Sequence, residues 1–342
     1  MGRDEIIGAY RGLLGRLPTD GEVAWWQSGG EDPSQRLYRG LLDSREFRSK
    51  YLDPKADVYR GHTERDLDVL AEIGSRVGEI TPHPERISDF LGVTTDPAYF
   101  SDKSHMKGKV TPIPFTPAFH EGIEFLGTAL AVLHETDKPF CAVEIGAGWA
   151  PWLVTGARMA ELMGRGIGRL VAVEADPEHV KFCERHVAEN GYAGSFTIHH
   201  GLAGIEDGTG EFPVIDPQRH WGAGGNYDGT SSDPRPMQPV AVFDVGRICE
   251  EIAAEHGYVD LLHVDIQGYE GRLFLTLAER LAKTVHTVVI GTHGRQEEAD
   301  ILAAMKDTPF QLRHEKPARY QCFPQEPKVT VDGTQIWVNT AL

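Results

Sequence analysis

Basic charge is in short supply in this chain. Its 342 residues hold 34 Lys and Arg against 51 Asp and Glu, a formal net charge of −17. Nucleic-acid backbones and anionic membranes reward Lys and Arg, so this balance argues against both as partners. The ordinary alternative is that the acidity serves solubility. Cysteine is scarce as well. Cys141, Cys183, Cys249 and Cys322 lie far apart and form no Cys-x-x-Cys pair. They read as reduced thiols, which fits a cytoplasmic protein rather than a disulfide scaffold. Long apolar runs are missing. No stretch approaches the roughly 20 residues of a membrane span, and Met1-Gly2-Arg3-Asp4-Glu5 leads into nothing like a signal peptide. What is present is a hydrophobic fraction of 40% and six tryptophans. That is enough for a real core, in a chain whose length suits two domains.

The chain divides into three stretches. Residues 1–52 carry Ile6, Ile7, Tyr10, Leu13, Leu14 and Leu17 at helical spacing, up to Pro18. Thr19 with Glu22 forms a capping box for a second helix bearing Val23, Trp25 and Trp26. Asp32-Pro33 opens a third helix with Leu37, Tyr38, Leu41 and Leu42, and Ser44 caps a fourth with Phe47 and Tyr51. Residues 53–139 hold a helical period over Glu64–Ile80 and another over Phe119–His134, separated by proline-rich segments. This stretch reads as a linker or as an active-site lid. From residue 140 to 342 strands and helices alternate, with strands expected over 140–145, 169–174, 196–200, 259–265 and 285–290. Such alternation implies an α/β fold with a mostly parallel sheet. Asp332-Gly333 between Val329-Thr330-Val331 and Gln335-Ile336-Trp337-Val338 signals a C-terminal antiparallel hairpin.

The chemistry gathers at strand ends. Val143-Glu144-Ile145-Gly146-Ala147-Gly148-Trp149 reads as a strand followed by a glycine turn, and Val171–Asp176 as a second strand ending in Glu174. That layout holds a nucleoside, with the glycines allowing close backbone approach and Glu174 accepting from two ribose hydroxyls. Ala150 stands where a third glycine is common. Glu144, two residues before Gly146, suits a ligand with a cationic end such as S-adenosylmethionine. The N–H groups of the helix starting near Trp149 are expected to face the methionine carboxylate. Ala175 and Leu202 then border the adenine. In Val259–Glu270, side-chain alternation puts Leu261, His263 and Asp265 on one face, with Asp265 at the ligand rim. His263 reads first as a hydrogen-bonded core histidine, and Glu270 as a helix-start carboxylate. His293, past the strand ending at Ile290, is placed to accept a proton. The Gly-, Asp- and Pro-rich stretch 204–239 supplies His220, Trp221 and Tyr227 for an acceptor, or is a plain surface loop.

Two resemblances follow from these residues. Tyr10-Arg11-x-Leu13-Leu14-Gly15-Arg16-x-Pro18, Trp25-Trp26 and Leu41-Leu42-x-Ser44-x-Glu46-Phe47 resemble a short bacterial helical domain of unknown function, which implies docking or targeting rather than chemistry, through residues 1–52 to a partner or a second copy; a scaffold extending the core is the alternative. Over about 140–340, the glycine turn, Val173-Glu174-Ala175-Asp176-Pro177, His263-Val264-Asp265-Ile266-Gln267-Gly268-Tyr269-Glu270, Ile290–Arg295 and Asp332–Asn339 resemble the FkbM family of S-adenosylmethionine-dependent methyltransferases. The resemblance implies a class I methyltransferase fold, a seven-stranded Rossmann-like sheet with a C-terminal antiparallel hairpin. It also implies O-methylation of a sugar, glycan or polyketide-type product. His293 is then the base and Asp265 a positioning or cofactor-binding carboxylate, with the reverse assignment open. A magnesium ion on Asp265 and Glu270 is a further alternative, weakened because Gln267 replaces the family's usual glutamate. A degenerate binding module and a nicotinamide-dependent oxidoreductase are the competing functions.

Overall fold

One nine-stranded sheet organises the larger part of the molecule in the computed structural model. The structure describes residues 2–14, 16–28, 32–42, 44–47, 60–63, 65–113, 122–134, 136–229, 233–321 and 327–342. Expectations that fall on Glu64, Phe119, Tyr51 and Cys322 lie outside them. The chain splits into two compact units, Met1–Gly61 and His62–Leu342.

The first unit contains α1 (Arg3–Leu14), α2 (Asp20–Gln27), α3 (Pro33–Leu42) and the single turn α4 (Arg45–Phe47). Thr19 and Glu22 cap α2 reciprocally. Ile6, Tyr10, Val23, Trp26, Leu37 and Leu41 form the core of this unit, and the Trp26 indole N–H donates to the Tyr10 hydroxyl at 3.0 Å. Trp25, paired with Trp26 in the sequence, is instead half exposed.

The second unit starts with α5 (Asp68–Ser75), preceded by a 3-10 turn. The helix expected to reach Ile80 ends at Ser75, and Gly78 follows in the left-handed region at φ 74°. Leu67, Leu70 and Ile73 pack into the same core as α6 (Gly122–Leu133). The sheet strands are β1 (Phe140–Ile145), β2 (Ile167–Glu174), β3 (Phe196–Gly204), β4 (Gly208–Pro213), β5 (Met237–Asp244), β6 (Val259–Val264), β7 (Val285–Thr292), β8 (Phe310–Lys316) and β9 (Gly333–Asn339). Their order across the sheet is β8-β9-β7-β6-β1-β2-β3-β5-β4. Strands β3, β2, β1, β6 and β7 are parallel, and β9 runs antiparallel to both β7 and β8. This is a Rossmann-like architecture. Order reverses at β1, with β2 on one side and β6 on the other, and ligands bind at such a switch point beyond the carboxyl ends of the strands. One side of the sheet carries α6, α7 (Pro151–Leu162) and α8 (Pro177–Glu189). The other carries α9 (Val245–His256), α10 (Glu270–Leu281) and α11 (Arg295–Met305).

Two expectations about the sheet need correction. It has nine strands rather than seven, because the segment after β3 turns back as β4 and returns as β5 beside β3. Asp332-Gly333 is also not a hairpin turn. Lys328–Val331 pairs with Arg319–Gln321 in a separate ribbon, while Gly333 starts β9. Gly333 is needed for close approach: a Cβ there would lie 2.2 Å from the Thr292 hydroxyl oxygen and 2.7 Å from the Ala318 nitrogen. No helix among the described residues is long and apolar enough to cross a membrane.

Candidate active site

The β1–α7 turn is built so that backbone meets backbone. Gly146 adopts φ 69°, and a Cβ on it would stand 1.7 Å from the carbonyl oxygen of Asp265. No other residue fits. Gly148 adopts φ 59°. Ala150 is left-handed too, at φ 59° and ψ 47°, and caps α7. It therefore occupies a glycine conformation with a side chain, at a cost of about 1 kcal/mol.

The two acids flanking this turn are tied to backbone. Glu144 Oε2 accepts from the N–H groups of Trp152 at 3.1 Å and Leu153 at 2.9 Å. The expected free N–H groups at the start of α7 are thus satisfied by Glu144, and the orphan donors of the helix terminus are not turned to a ligand carboxylate. Glu174 Oε2 accepts from Gly148 N–H and Oε1 from Asp176 N–H, both at 2.8 Å. Each carboxylate oxygen keeps a second acceptor direction for a hydroxyl. Burial pushes the Glu174 carboxyl up from its ordinary value, against His179 and the N–H groups that favour the anion. Both acids line a cavity of about 600 Å³.

Beyond β6 lies a second constellation. His293 Nδ1 is 2.9 Å from Glu270 Oε1 and its Nε2 is 3.2 Å from Asp265 Oδ1. Burial alone would lower the imidazole's pKa, but the two carboxylates override it and hold it up at about 11. The ring is an imidazolium at neutral pH. Burial would likewise raise the Asp265 carboxyl, yet His293 takes it below its usual value. Asp265 lines the cavity and His293 stands behind it. His293 as the free base is therefore corrected: both its nitrogens face carboxylates, and a cation cannot accept a proton.

The ligand atoms of Asp265, Glu270 and His293 lie within 4.8 Å of one another, so a metal deserves a direct test against the donor set. Glu270 is fully buried. Its Oε1 accepts from Ile266 N–H at 2.9 Å as well as from His293, and its Oε2 from Gly268 N–H at 2.8 Å. Magnesium asks for oxygen ligands and room for water. Here only Asp265 opens onto the cavity, so the set does not fit that ion.

The cavity wall contains Ala175 and Leu202, which join Phe212 and Val242 in an apolar patch. Trp149, His220, Trp221 and Tyr227 line it too. Trp221 lies flat on His179, with ring centroids 4.3 Å apart and planes 7° apart, and edge-on to Trp149. The Tyr227 hydroxyl donates to Ala203 O at 2.7 Å and its ring stacks on Tyr269. Tyr227 thus offers a ring face rather than a free hydroxyl, and His220 Nδ1 accepts from Asp216 N–H at 3.3 Å.

Several wall residues escaped the sequence reading. Phe100, Asp102 and Lys103 come from the stretch read as linker or lid. That segment is fastened to the 204–239 stretch: Ser101 N–H donates to Gln218 O, and the Gln218 amide donates to Ala98 O at 2.8 Å. Glu124 on α6 and Gln267 also face the cavity. The Tyr99-Phe100 pair was the available signal for the first group; nothing local marks Glu124, since its place depends on how α6 packs on the sheet. His263, expected to be hydrogen-bonded in the core, is buried but has no hydrogen-bond partner on either nitrogen.

A protein of Jannaschia sp. (strain CCS1) described as a methyltransferase is 27% identical over 275 residues, which span 75% of this chain and 93% of that protein. Among solved structures, the precorrin-6y C5,15-methyltransferase of Geobacter metallireducens aligns with 65% of this chain and 89% of its own, at 10% identity and a TM-score of 0.34. The O-methyltransferase of Bacillus cereus in complex with SAH covers 62% of this chain and 80% of its own, at 11% identity and a TM-score of 0.33. No family model matches the chain. The FkbM likeness and that of residues 1–52 accordingly rest on the motifs that carry them.

Proposed function

We propose that the protein is an S-adenosylmethionine-dependent O-methyltransferase acting on a hydroxyl of a sugar, glycan or polyketide-type product. The observation that carries this reading is the pair of acids at the switch point. Glu174 keeps acceptor capacity for ribose hydroxyls beside a glycine turn that a Cβ would block, and Glu144 makes the neighbouring floor acidic. The apolar patch of Ala175, Leu202 and Phe212 suits a purine face. When bound, the cofactor supplies an electrophilic methyl group.

The chain's own residues hold the acceptor and take its proton. Phe100, Trp149 and Trp221 give the wall flat apolar faces, which suit a sugar ring or polyketide. Asp265, the triad member that opens on the cavity, receives the hydroxyl proton. A carboxylate held low is adequate there, because the acceptor oxygen becomes strongly acidic as it bonds to carbon. His293 and Glu270 position it. This is the reverse of the first assignment. The acidity supports a neutral acceptor over nucleic acid. Residues 1–61 hold ten basic and ten acidic side chains, so the whole −17 falls on residues 62–342, the unit with the cavity.

Calorimetry with S-adenosylmethionine, followed by labelled methyl transfer to a panel of glycosylated and polyketide alcohols and to tRNA, tests the reading. Micromolar binding and label in the alcohols are expected. No binding at millimolar cofactor, or label in the RNA alone, would overturn it.

A further inference from the structure

Glu124, Glu144, Trp152 and His263 all line the cavity. Glu144 on β1 and His263 on β6 are direct neighbours in register, so they face the same side. The His263 ring stacks on Trp152, with centroids 5.3 Å apart. Its Nε2 lies 3.7 Å from Glu124 Oε1, too long for a hydrogen bond. His263 is 3% exposed and neither of its nitrogens has a hydrogen-bond partner. A buried polar group left unpaired is costly, and such groups mark places where a water or ligand belongs.

The surroundings define the charge of that ligand. Glu124, Glu144 and Asp265 line the cavity together with His263, while the two basic side chains of its lining, Lys103 and Arg219, come from the separate stretches around residues 100–103 and 215–221. Burial, with Glu124 and Asp265 adding like charge, pushes the Glu144 carboxyl well above its ordinary value. A cation beside these acids would relieve that repulsion. It must also donate hydrogen bonds, since a carboxylate and an unprotonated imidazole nitrogen accept them. A primary ammonium meets both conditions, whereas a sulfonium has no N–H to donate.

We propose that Glu124 and His263 form the seat of the α-ammonium group at the amino-acid end of the cofactor. This rests on the S-adenosylmethionine reading above. It replaces the direct role first given to Glu144, whose Oε2 is taken by the start of α7. Glu124 and His263 are positioning residues here. They fix the amino-acid end so that the rest of the cofactor lies along the turn toward Glu174.

The test is calorimetry on the full chain with two ligands. S-adenosylhomocysteine carries the amino-acid end, and 5′-methylthioadenosine lacks it. Glu124→Gln and His263→Phe, which retains the stack on Trp152, should each weaken S-adenosylhomocysteine on the order of 10- to 100-fold. Each should leave 5′-methylthioadenosine within about twofold, a result that also shows the variant is folded. Glu124→Asp, which retains the charge, should lie closer to the wild type than Glu124→Gln. The proposal is overturned if the two ligands weaken equally, if S-adenosylhomocysteine affinity is unchanged, or if only kcat falls while affinity holds. If the wild-type protein binds neither ligand, the methyltransferase reading fails instead.

Discussion

Strand β6 carries an aspartate near its start and another just past its end, and the two regions use carboxylate and imidazole in opposite ways. At the start, Asp260 is closed off. Its oxygens accept from Cys141 N–H and the Arg165 guanidinium, both at 2.7 Å, and His134 Nε2 lies 3.2 Å away. His134 stacks on His286 with centroids 3.9 Å apart, and burial holds both rings down at about 4, so they are neutral. At the other end Asp265 opens on a cavity, His293 is held charged, and His263 is left without a partner. The same residue types thus make a finished polar network at one end and an unfinished one at the other. Satisfied networks hold a fold together, while perturbed and unpaired groups in a cleft mark a working site.

Exchanging the two aspartates in turn would break this comparison most sharply. Asp265→Asn should lower kcat by roughly 100- to 10,000-fold, because the proton acceptor is lost, with a smaller loss of stability than at Asp260, since Glu270 still faces the His293 ring. Asp260→Asn should do the opposite: about 3 kcal/mol less stability, from a buried guanidinium losing its partner, with cofactor affinity retained in the folded fraction. Equal effects on both properties in both variants would erase the distinction.

The glycine turn provides the next contrast. Gly146→Ala puts a methyl group into the Asp265 carbonyl and should cost several kcal/mol, on the order of the larger single-residue effects. Ala150→Gly relieves a left-handed alanine but loses a buried methyl, so its melting free energy should stay within about 1 kcal/mol of wild type. A severe effect at Ala150 would mean that its side chain, not its backbone, is what the turn requires.

How legible all this was depends on range. Capping of α2 by Thr19 and Glu22 could be read because the partners sit three residues apart. The parallel strands could be read from unbroken apolar runs such as Val259–Val264. Strands β4 and β5 could not: Gly208–Pro213 is rich in glycine and polar residues and is held by pairing across the 214–236 excursion. At the site, Glu144, Glu174 and Asp265 stood out because strand ends are local. That His293 would fall between two carboxylates needed the distance between β6, α10 and β7, which spacing does not encode. Glu124 was invisible for the same reason.

The two ends should also respond to pH with opposite sign. His134 and His286 have folded values near 4, below the ordinary 6.5. The unfolded chain therefore binds more protons between those values, and stability is lost as pH falls from 6.5 toward 4, by up to roughly 1 kcal/mol per pH unit for each ring. His293, raised to about 11, contributes stability that is full below 6.5 and is lost as pH rises toward 11. Urea midpoints across this range should show the acid slope flattened in His286→Phe and the alkaline slope flattened in His293→Gln. If both variants flatten the same limb, the two ends are not distinct in charge state.

The smallest effect concerns Gln267, in the turn after β6. Gln267 adopts a left-handed φ of 58° and its amide donates to Asp265 Oδ1 at 3.1 Å. A glutamate there could not donate and would set a second negative charge beside Asp265. Gln267→Glu should raise the Asp265 pKa and shift the acid limb of the rate profile upward by less than one pH unit, as a loosely screened neighbouring charge does. Loss in kcat should stay below about tenfold, since the triad with His293 and Glu270 survives. An unchanged acid limb would show that His293 alone sets the charge of Asp265, and that the amide serves only to hold the turn.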